Sequence, residues 1–459
     1  MRSQSTRGAL RAGGGLAILL LGALAGCGGA APPPHVIVIS IDTLRRDALA
    51  AFAPEAGPLL ALDRLARDSV RFENALSSAS WTLPAHASLL TGLYPDRHGA
   101  TDRRVTLASQ VPTLAERLAA RGYETAAFTG GGFLDPEYGL GRGFERYAAK
   151  THGKQERAED AEGLLARVAD YLDARRDGRP LFLFLHTYAV HNYYDARDEA
   201  AVRARQTRLA SRKAYVDCVL GRTSCPEETW ETLEALYRAE LELLDDAFAR
   251  LVAELERAGL WHDAIVVLLS DHGEGFEPAR GRIHHGGRLH ADQLAIPLLV
   301  RVPGVAPRAE AAPVSLVDLM PTLLELTGTP VPPDLDGRSL AASLRDGTPL
   351  APRPLLAMEH YFGWEEGKRD TSPEVLALPR ELAVIDADGW YITGERPDEL
   401  YGPADADQAT NRLRTPAESE GYRARLGARP LARAESERAE EGEGLGNALD
   451  ALGYGGGEE

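Results

Sequence analysis

The chain has 459 residues and a formal net charge of −17 at pH 7, with 68 acidic against 51 basic residues. This acidic balance argues against nucleic acid as a partner, because a negative protein repels the phosphate backbone. Residues 35–411 suffice for one large domain with a small appendage.

The first 27 residues have the features of an export signal, with three arginines ahead of an apolar run at residues 16–21. The run is too short to cross a bilayer as a permanent helix. Residues 24–27, Leu-Ala-Gly-Cys, resemble a bacterial lipobox, in which the cysteine becomes the lipidated first residue. We therefore expect export to the bacterial cell envelope and membrane anchoring through lipidated Cys27, in the periplasm or on the outer surface. An ordinary signal peptide with an incidental cysteine is the alternative.

Beyond a linker at residues 28–34, apolar runs alternate with segments of helical character. Runs rich in Val, Ile, Leu and Phe predict strands at residues 35–41, 124–129, 180–186, 264–270 and 296–302. Helical spacing predicts helices at residues 113–121 and 231–259, the second ending at Gly259. This order predicts the α/β class, with a doubly wound, mostly parallel central sheet and helices on both faces. The main domain spans residues 35–345.

After Pro333 the segments become shorter, and apolar runs at 381–385 and 390–393 follow a loop at 348–354. We expect a small C-terminal α+β subdomain at residues 346–414, with antiparallel strands and a last helix. Residues 415–459 predict a flexible acidic tail, because their Glu, Arg, Gly and Ala bury little surface. Cys218 and Cys225 lie in a predicted loop, where export permits a disulfide and two free thiols are the alternative.

Polar residues follow three of the predicted strands. Asp42 and Thr43 come after the first, His186 ends the third, and Asp271 and His272 come after the fourth. Ligands of such sheets bind beyond the carboxyl ends of the strands, so we expect these side chains to meet. The alternative, that each polar residue only caps a helix, is strained for three strands together. Two carboxylates and an imidazole predict one divalent cation at Asp42, Asp271 and His272.

Thr82 stands at the predicted start of a helix, with Pro84 in its first turn. As an alternative, Thr82 is simply a helix cap. A hydroxyl at a helix N-terminus also lies at the positive end of the dipole, which favours an anionic group. If a cation coordinates the hydroxyl, its oxygen becomes a nucleophile.

Six segments in this order resemble the sulfatase family of the alkaline phosphatase superfamily, and the match covers most of residues 35–411. They are Ile-Ser-Ile-Asp-Thr-Leu-Arg at 39–45, Val-Arg-Phe-Glu-Asn-Ala at 70–75, Leu-Leu-Thr-Gly-Leu-Tyr-Pro at 89–95, Asp-His-Gly-Glu-Gly-Phe at 271–276, Ser-Leu-Val-Asp-Leu-Met-Pro-Thr at 315–322 and Asp-Leu-Asp-Gly-Arg-Ser-Leu at 334–340. The resemblance implies hydrolysis of an anionic ester. It carries the family's metal ligands onto Asp42, Asp271 and His272, and the reacting side chain onto Thr82.

The chain departs from the family pattern at several of these positions. True sulfatases have, at position 82, a Cys or Ser that is oxidised to formylglycine, and threonine cannot yield this aldehyde, so no formylglycine is expected. Related phosphotransferases and phosphodiesterases use threonine directly. His86 replaces an arginine of the sulfatase signature, which removes a permanent cation. Thr43 stands where many sulfatases have a second Asp, and residues 129–133 lack the sulfate-binding Gly-Lys pair.

Histidines are the remaining candidates for contacts to the substrate anion. We expect His285 to protonate the leaving alcohol or to hold a nonbridging oxygen, and His86 and His191 to bind substrate. For each of them, packing or surface exposure is the alternative. The family's His-rich strand end often has Asp and Pro where this chain has Ala189 and Val190, so the resemblance does not support a second metal.

The sequence therefore predicts a metal-dependent, sulfatase-like hydrolase of sulfate, phosphate or phosphonate esters. The cation is Ca²⁺, Mg²⁺, Mn²⁺ or Zn²⁺, and the oligomeric state stays open. One alternative is a transferase that passes phosphoryl head groups to an acceptor in the cell envelope. Such enzymes usually have several membrane spans. A second alternative is a non-catalytic binding lipoprotein on a sulfatase scaffold.

Overall fold

The computed structural model describes residues 32–150, 161–176, 178–193, 226–277, 282–360, 379–402, 408, 411–413 and 420. Cys27, Cys218 and Cys225 lie outside these residues, as do the predicted last helix and all of the acidic tail except Glu420. The predictions made for them stay predictions. The described residues from Pro33 onwards group into one compact unit, and this grouping does not test the predicted boundary at residue 345.

The strands begin and end close to the predicted positions. In chain order they are β1 His35–Ile41, β2 Val70–Phe72, β3 Ala75–Leu76, β4 Glu124–Thr129, β5 Arg146–Ala149, β6 Leu181–Thr187, β7 Ala264–Leu269, β8 Gly275–Glu277, β9 Arg282–His284, β10 Ala295–Ile296, β11 Leu298–Arg301, β12 Arg308–Glu310, β13 Val314–Ser315, β14 Leu355–Glu359, β15 Glu381–Asp386, β16 Gly389–Gly394 and β17 Glu399–Tyr401. β1, β4, β6 and β7 are the first four predicted strands, each within one residue at either end.

An eight-stranded sheet with the order β12-β2-β11-β7-β1-β6-β4-β5 forms the centre. β1 lies between β6 and β7 and runs parallel to both. β11 runs antiparallel to its neighbours β7 and β2. The strand predicted at 296–302 divides at Pro297, which has no backbone N–H to donate. Its first residues, in β10, pair instead with β3 in a small separate sheet.

The helices are α1 Leu60–Arg67, α2 Thr82–Thr91, α3 Pro95–His98, α4 Leu114–Ala119, α5 Ala161–Ala174, α6 Glu227–Arg257, α7 Ala291–Leu294, α8 Leu319–Leu326 and α9 Ala341–Asp346. Short 3₁₀ turns lie at Arg46–Ala48, Pro54–Ala56, Gly132–Leu134, Pro136–Tyr138 and Leu316–Asp318. Their ends follow local chemistry. Thr113 and Glu116 form a reciprocal capping box at the start of α4, and Gly259, just past α6, has a left-handed φ of 72°.

Side chains of the central strands alternate between two hydrophobic cores. Ile37, Ile39 and Ile41 face the core that α1, α5 and α6 cover. Val36 and Val38 face the opposite core, under α2, α4, α8 and α9. Successive residues of a strand point to opposite faces, and both faces are apolar here, so helices must cover both. The predicted doubly wound α/β fold is confirmed.

A four-stranded antiparallel sheet, in the order β14-β15-β16-β17, follows the main sheet in the chain. Its middle strands are the two that the sequence predicts. The sheet contacts two loops of the main domain: Met358 N–H donates to Ser78 O at 2.9 Å, and Trp390 Nε1–H donates to Leu289 O at 2.9 Å. These loops lead to the residues described next. No helix among the described residues has the length and apolarity that spanning a membrane requires.

Candidate active site

The carboxyl ends of three neighbouring parallel strands carry the polar residues of the site. Asp42 follows β1, His186 lies near the end of β6, and Asp271 and His272 follow β7. Because β6, β1 and β7 are adjacent, these ends meet at one edge of the sheet. All four side chains are at most 1% exposed. The structure thus brings the predicted metal ligands together.

Asp42 stands where the chain leaves β1 and turns sharply. Its N–H donates to Thr187 O at 3.1 Å, which extends the pairing with β6. The next residue, Thr43, has a φ of 58°, a left-handed conformation that is strained for a β-branched residue. The Thr43 hydroxyl donates to the Asp42 carbonyl at 2.7 Å, and Tyr237 Oη–H donates to the Thr43 carbonyl at 2.9 Å. Thr43 therefore supports the turn with the hydroxyl that replaces the family's second carboxylate.

Thr82 is the first residue of α2 and is fully buried. Its hydroxyl donates to Asp42 Oδ2 at 3.2 Å and lies 3.4 Å from His272 Nε2. The backbone N–H groups of a first helical turn have no partners within the helix, so the hydroxyl stands at the positive end of α2. The predicted nucleophile is in direct contact with two of the predicted metal ligands.

Asp42, Asp271 and His272 fit a divalent cation. Each offers one donor atom, and the three atoms lie within 4.8 Å of one another. Among the described residues, neither Asp42 Oδ1 nor Asp271 Oδ2 has a hydrogen-bond partner, although both atoms are buried. Buried carboxylate oxygens without partners are costly, and a cation would satisfy both. His86, His186 and Asp271 form a second grouping that shares Asp271, but the histidines in it contact Thr82, Ser40 and Asp42.

The electrostatics of the two carboxyl groups support the same conclusion. Burial alone would raise the pKa of Asp42, but the hydrogen bond from His186 and the nearby His272 and His191 lower it overall. Burial and the charge of Asp42 raise the pKa of Asp271 well above its usual range. The pKa values of the two neighbouring carboxyl groups are therefore shifted in opposite directions, as expected for two buried acids that share one site. A bound divalent charge would let both ionise.

His86 has protein partners at both ring nitrogens. Nδ1 lies 2.8 Å from the Thr82 carbonyl, and Nε2 lies 2.9 Å from Ser40 Oγ. Since a carbonyl only accepts, Nδ1 carries the proton and the Ser40 hydroxyl donates to Nε2. Burial, with the neighbouring His186, lowers the pKa of His86 to about 3, so the ring is neutral. These contacts position the first turn of α2, and the predicted substrate contact of His86 stays a prediction.

His285 and His191 extend the row of imidazoles away from the metal ligands. The centroid of the His285 ring lies 4.5 Å from that of His272 and 4.8 Å from that of His191. His285 Nδ1 lies 3.1 Å from Glu274 Oε2, and His191 Nδ1 lies 2.8 Å from Asn192 Oδ1. Burial lowers the pKa of both histidines. Both predicted residues therefore lie beside the site as neutral rings.

Gly273 lies between the predicted metal ligand His272 and Glu274, and close packing of the backbone explains why a glycine stands there. Gly273 is not among the glycines with positive φ, so a left-handed backbone conformation does not explain it. A Cβ at Gly273 would instead lie 2.1 Å from Asp292 O. The glycine is required by a close approach of two backbone segments, which its N–H bond to Gln293 O at 2.8 Å holds together.

Three residues of the site have no role assigned in the sequence analysis. His186, expected at this edge of the sheet, has Nε2 3.2 Å from Asp42 Oδ2, and Ser40 contacts His86, which in turn contacts the nucleophile's helix. Glu274 is fully buried and orients His285. Their sequence signals were present but weak: His186 ends a predicted strand, and Glu274 belongs to the Asp-His-Gly-Glu motif. His290, five residues after His285 in the chain, has a different partner: its Nε2 lies 2.7 Å from Glu399 Oε2.

Comparison with known proteins identifies the family of the chain. The model of the family described as Sulfatase matches residues 34–329. The multifunctional alkaline phosphatase superfamily protein PehA of Trinickia caryophylli is 26% identical over 417 residues, covering 72% of this chain and 80% of PehA. An ulvan-active sulfatase of Formosa agariphila is 26% identical over 354 residues, covering 71% and 68%. The crystal structure of the phosphonate monoester hydrolase of Agrobacterium radiobacter matches with a TM-score of 0.66 at 19% identity, covering 86% of this chain and 95% of that one.

Proposed function

The chain belongs to the sulfatase family, and from this premise we propose that it hydrolyses phosphate or phosphonate esters with Thr82 as the nucleophile. The observation that carries the proposal is the position of Thr82 Oγ1, 3.2 Å from Asp42 Oδ2 and 3.4 Å from His272 Nε2. The same residues, with Asp271, are the proposed ligands of a divalent cation. Sulfate esters are the second candidate, favoured by the family match itself.

The side chain of threonine favours phosphorus over sulfur. A hydrated aldehyde carries a second hydroxyl on the same carbon, and this hydroxyl can expel a bound sulfate without attack at sulfur. Threonine has one hydroxyl, so an ester formed on Thr82 is released only when water attacks the central atom. This property of the threonine side chain supports phosphate or phosphonate over sulfate.

The proposed reaction has two displacements at phosphorus. Thr82 Oγ forms a bond to phosphorus, and the bond to the leaving alcohol oxygen breaks. The hydroxyl proton of Thr82 passes to Asp42 Oδ2. The neutral ring of His285, oriented by Glu274, gives a hydrogen bond to the departing oxygen, which takes its proton from solvent. Water then attacks phosphorus and frees Thr82 as the hydroxyl. A cation held by Asp42, Asp271 and His272 would supply Lewis acidity and would lower the pKa of the nucleophilic hydroxyl.

The test is a substrate panel of aryl sulfate, phosphate monoester, phosphodiester and phosphonate monoester, assayed with Mg²⁺, Mn²⁺, Ca²⁺ and Zn²⁺ in turn. We expect turnover of phosphorus esters, and a fall in kcat of roughly 10³-fold or more in Thr82→Ala. Thr91→Ala is the matched control, because Thr91 ends the same helix and its hydroxyl contacts only backbone atoms, donating to Ala87 O and accepting from Leu93 N–H. Undiminished turnover in Thr82→Ala would exclude the covalent mechanism, and preference for aryl sulfate would exclude the proposed substrate class.

Product analysis distinguishes hydrolysis from transfer of the phosphoryl group to an alcohol. Hydrolysis releases free phosphate or phosphonate whether or not an alcohol acceptor is present. Products formed only when the acceptor is added would identify a transferase. If the purified protein holds no divalent metal and Asp271→Ala leaves its turnover unchanged, the protein is the non-catalytic binding lipoprotein of the second alternative.

A further inference from the structure

Glu274, His284 and His285 form a second cluster of donor atoms beside the candidate cation site. Glu274 Oε2 lies 3.1 Å from His285 Nδ1 and 3.8 Å from His284 Nδ1. The cluster's donor atoms lie within 4.8 Å of one another, and the three side chains are at most 3% exposed. None of the three belongs to the set of Asp42, Asp271 and His272.

The backbone is bent so that both histidines reach the same carboxylate. His284 ends β9, and successive side chains of a strand normally point to opposite faces. His284 instead has a φ of 60°, a left-handed conformation that is unusual for a residue other than glycine. The turn directs His284 and His285 to the same side, and their ring centroids are 3.8 Å apart. Strained backbone conformations persist only where the surrounding structure holds them, and they are concentrated at active sites and ligand-binding sites.

The donor atoms are aimed inwards. Gly275 N–H donates to Glu274 Oε1 at 3.0 Å, which leaves Oε2 towards the two imidazoles. A tetrahedral ion with ligands at roughly 2.0–2.1 Å separates neighbouring donor atoms by roughly 3.3 Å. The two separations from Oε2, 3.1 and 3.8 Å, lie on either side of that value. The cluster therefore has the size of one face of a coordination tetrahedron.

We propose that Glu274, His284 and His285 hold a second divalent cation, of the zinc type, next to the cation of Asp42, Asp271 and His272. Two nitrogen donors and one carboxylate oxygen suit Zn²⁺ better than Ca²⁺ or Mg²⁺, and three protein ligands leave a fourth position open. The two sites adjoin, because the ring centroids of His285 and His272 are 4.5 Å apart. The resemblance to the family, with Ala189 and Val190 at the His-rich strand end, gives no support to a second metal, so the proposal rests on the geometry of this cluster alone.

The second site changes what His285 does. With Nδ1 bound to the ion, the proton of the neutral ring is on Nε2. His285 then offers a fixed hydrogen-bond donor instead of exchanging a proton. The proposal concerns binding, and it holds whether or not Thr82 is the nucleophile.

The test counts bound metal. The purified mature chain is stripped with a chelator, titrated with Zn²⁺, freed of loose metal by gel filtration and analysed by mass spectrometry of its elements. We expect two equivalents in the wild type, one in Glu274→Gln, one in Asp271→Asn and none in the double variant. His284→Asn should behave as Glu274→Gln does. His262→Gln, which removes a histidine side chain that is 76% exposed, controls for surface binding and should keep both equivalents.

Thermal unfolding of each variant shows that it is folded, and the absorption spectrum of the Co²⁺-loaded protein gives a second readout that needs no activity. We expect Glu274→Gln to remove one of two spectral components. A wild-type equivalent count that Glu274→Gln leaves unchanged, whether it is one or two, would overturn the proposal. Loss of both equivalents from a folded Glu274→Gln would also overturn it, because the sites would not be separate. Unchanged stoichiometry in Asp271→Asn alone would instead contradict the cation of the proposed function.

Discussion

At the residue scale, the site depends on which atom each polar side chain faces. Thr82 donates to Asp42, His186 contacts the same carboxylate, and His86 binds the carbonyl of Thr82. These contacts orient the proposed nucleophile and one proposed ligand before any substrate arrives. Residues that orient a metal ligand typically change metal affinity by 10–100-fold when replaced.

His186 provides the test of this arrangement. We expect His186→Asn to weaken the affinity of the site for its cation by roughly 10–100-fold, because Asp42 Oδ2 loses the imidazole 3.2 Å away. At saturating metal, kcat should recover towards the wild-type value. The measurement is turnover as a function of metal concentration. His98→Asn is the control, since His98 is equally buried but contacts Ser88 and Ala100; an equal loss of affinity in it would contradict the role of His186.

At the element scale, the end of β14 connects the C-terminal sheet to the loops of the site. Glu359 Oε2 accepts from Ser80 Oγ at 2.5 Å and from Gly287 N–H at 3.1 Å. Ser80 lies two residues before Thr82, and Gly287 two residues after His285. One buried carboxyl group thus joins the segments that carry the proposed nucleophile and the proposed donor.

Glu359 makes stability depend on pH. Burial raises the pKa of Glu359 from 4.5 to about 7, with Ser80 and Gly287 lowering it, Glu381 raising it and Arg380 lowering it. A raised pKa means that the protonated carboxyl is favoured in the folded state. The contribution of the protonated Glu359 carboxyl to the free energy of unfolding is therefore fully present below pH 4.5, and it is lost as the pH rises through 7.

We expect Glu359→Gln, which keeps an acceptor for both donors, to match the wild type near pH 5. At pH 8 it should be more stable by about 3 kcal/mol, since one pKa unit corresponds to about 1.4 kcal/mol. Denaturant unfolding at the two pH values measures the difference. Glu395→Gln replaces an exposed carboxylate and should show no such change between the two pH values. A pH-independent difference in Glu359→Gln would contradict the raised pKa.

At the scale of the whole molecule, the central sheet separates two cores, and each is closed by its own set of helices. The site lies at the edge of the sheet, so its residues come from segments as distant as β1 and β14. Export and anchoring concern a different part of the chain, before residue 32, and they stay proposals.

We propose that Cys27 carries the membrane anchor, and this is tested in a bacterial host grown with a labelled fatty acid. The wild-type chain should take up the label and sediment with the membrane fraction, because acyl chains bury in the bilayer. Cys27→Ala should take up no label. Cys218→Ala is the control and should behave as the wild type does. Label in Cys27→Ala would show that the lipobox interpretation is wrong.

The sequence by itself determined the α/β class, the family and the convergence of Asp42, Asp271 and His272 near Thr82. These follow from local rules, because apolar runs form buried strands and parallel strands present their carboxyl ends at one edge. The positions of the first four predicted strands were therefore within a residue of the structure.

Only the tertiary structure decided what the other polar residues contact. Thr43 supports a turn, His86 uses both nitrogens on protein atoms, and Glu274 faces two histidines. The direction of β11 and the division at Pro297 also appear only in the fold. A hydrogen-bond partner is set by the orientation of side chains from segments far apart in sequence, and hydrophobic patterning does not encode that orientation.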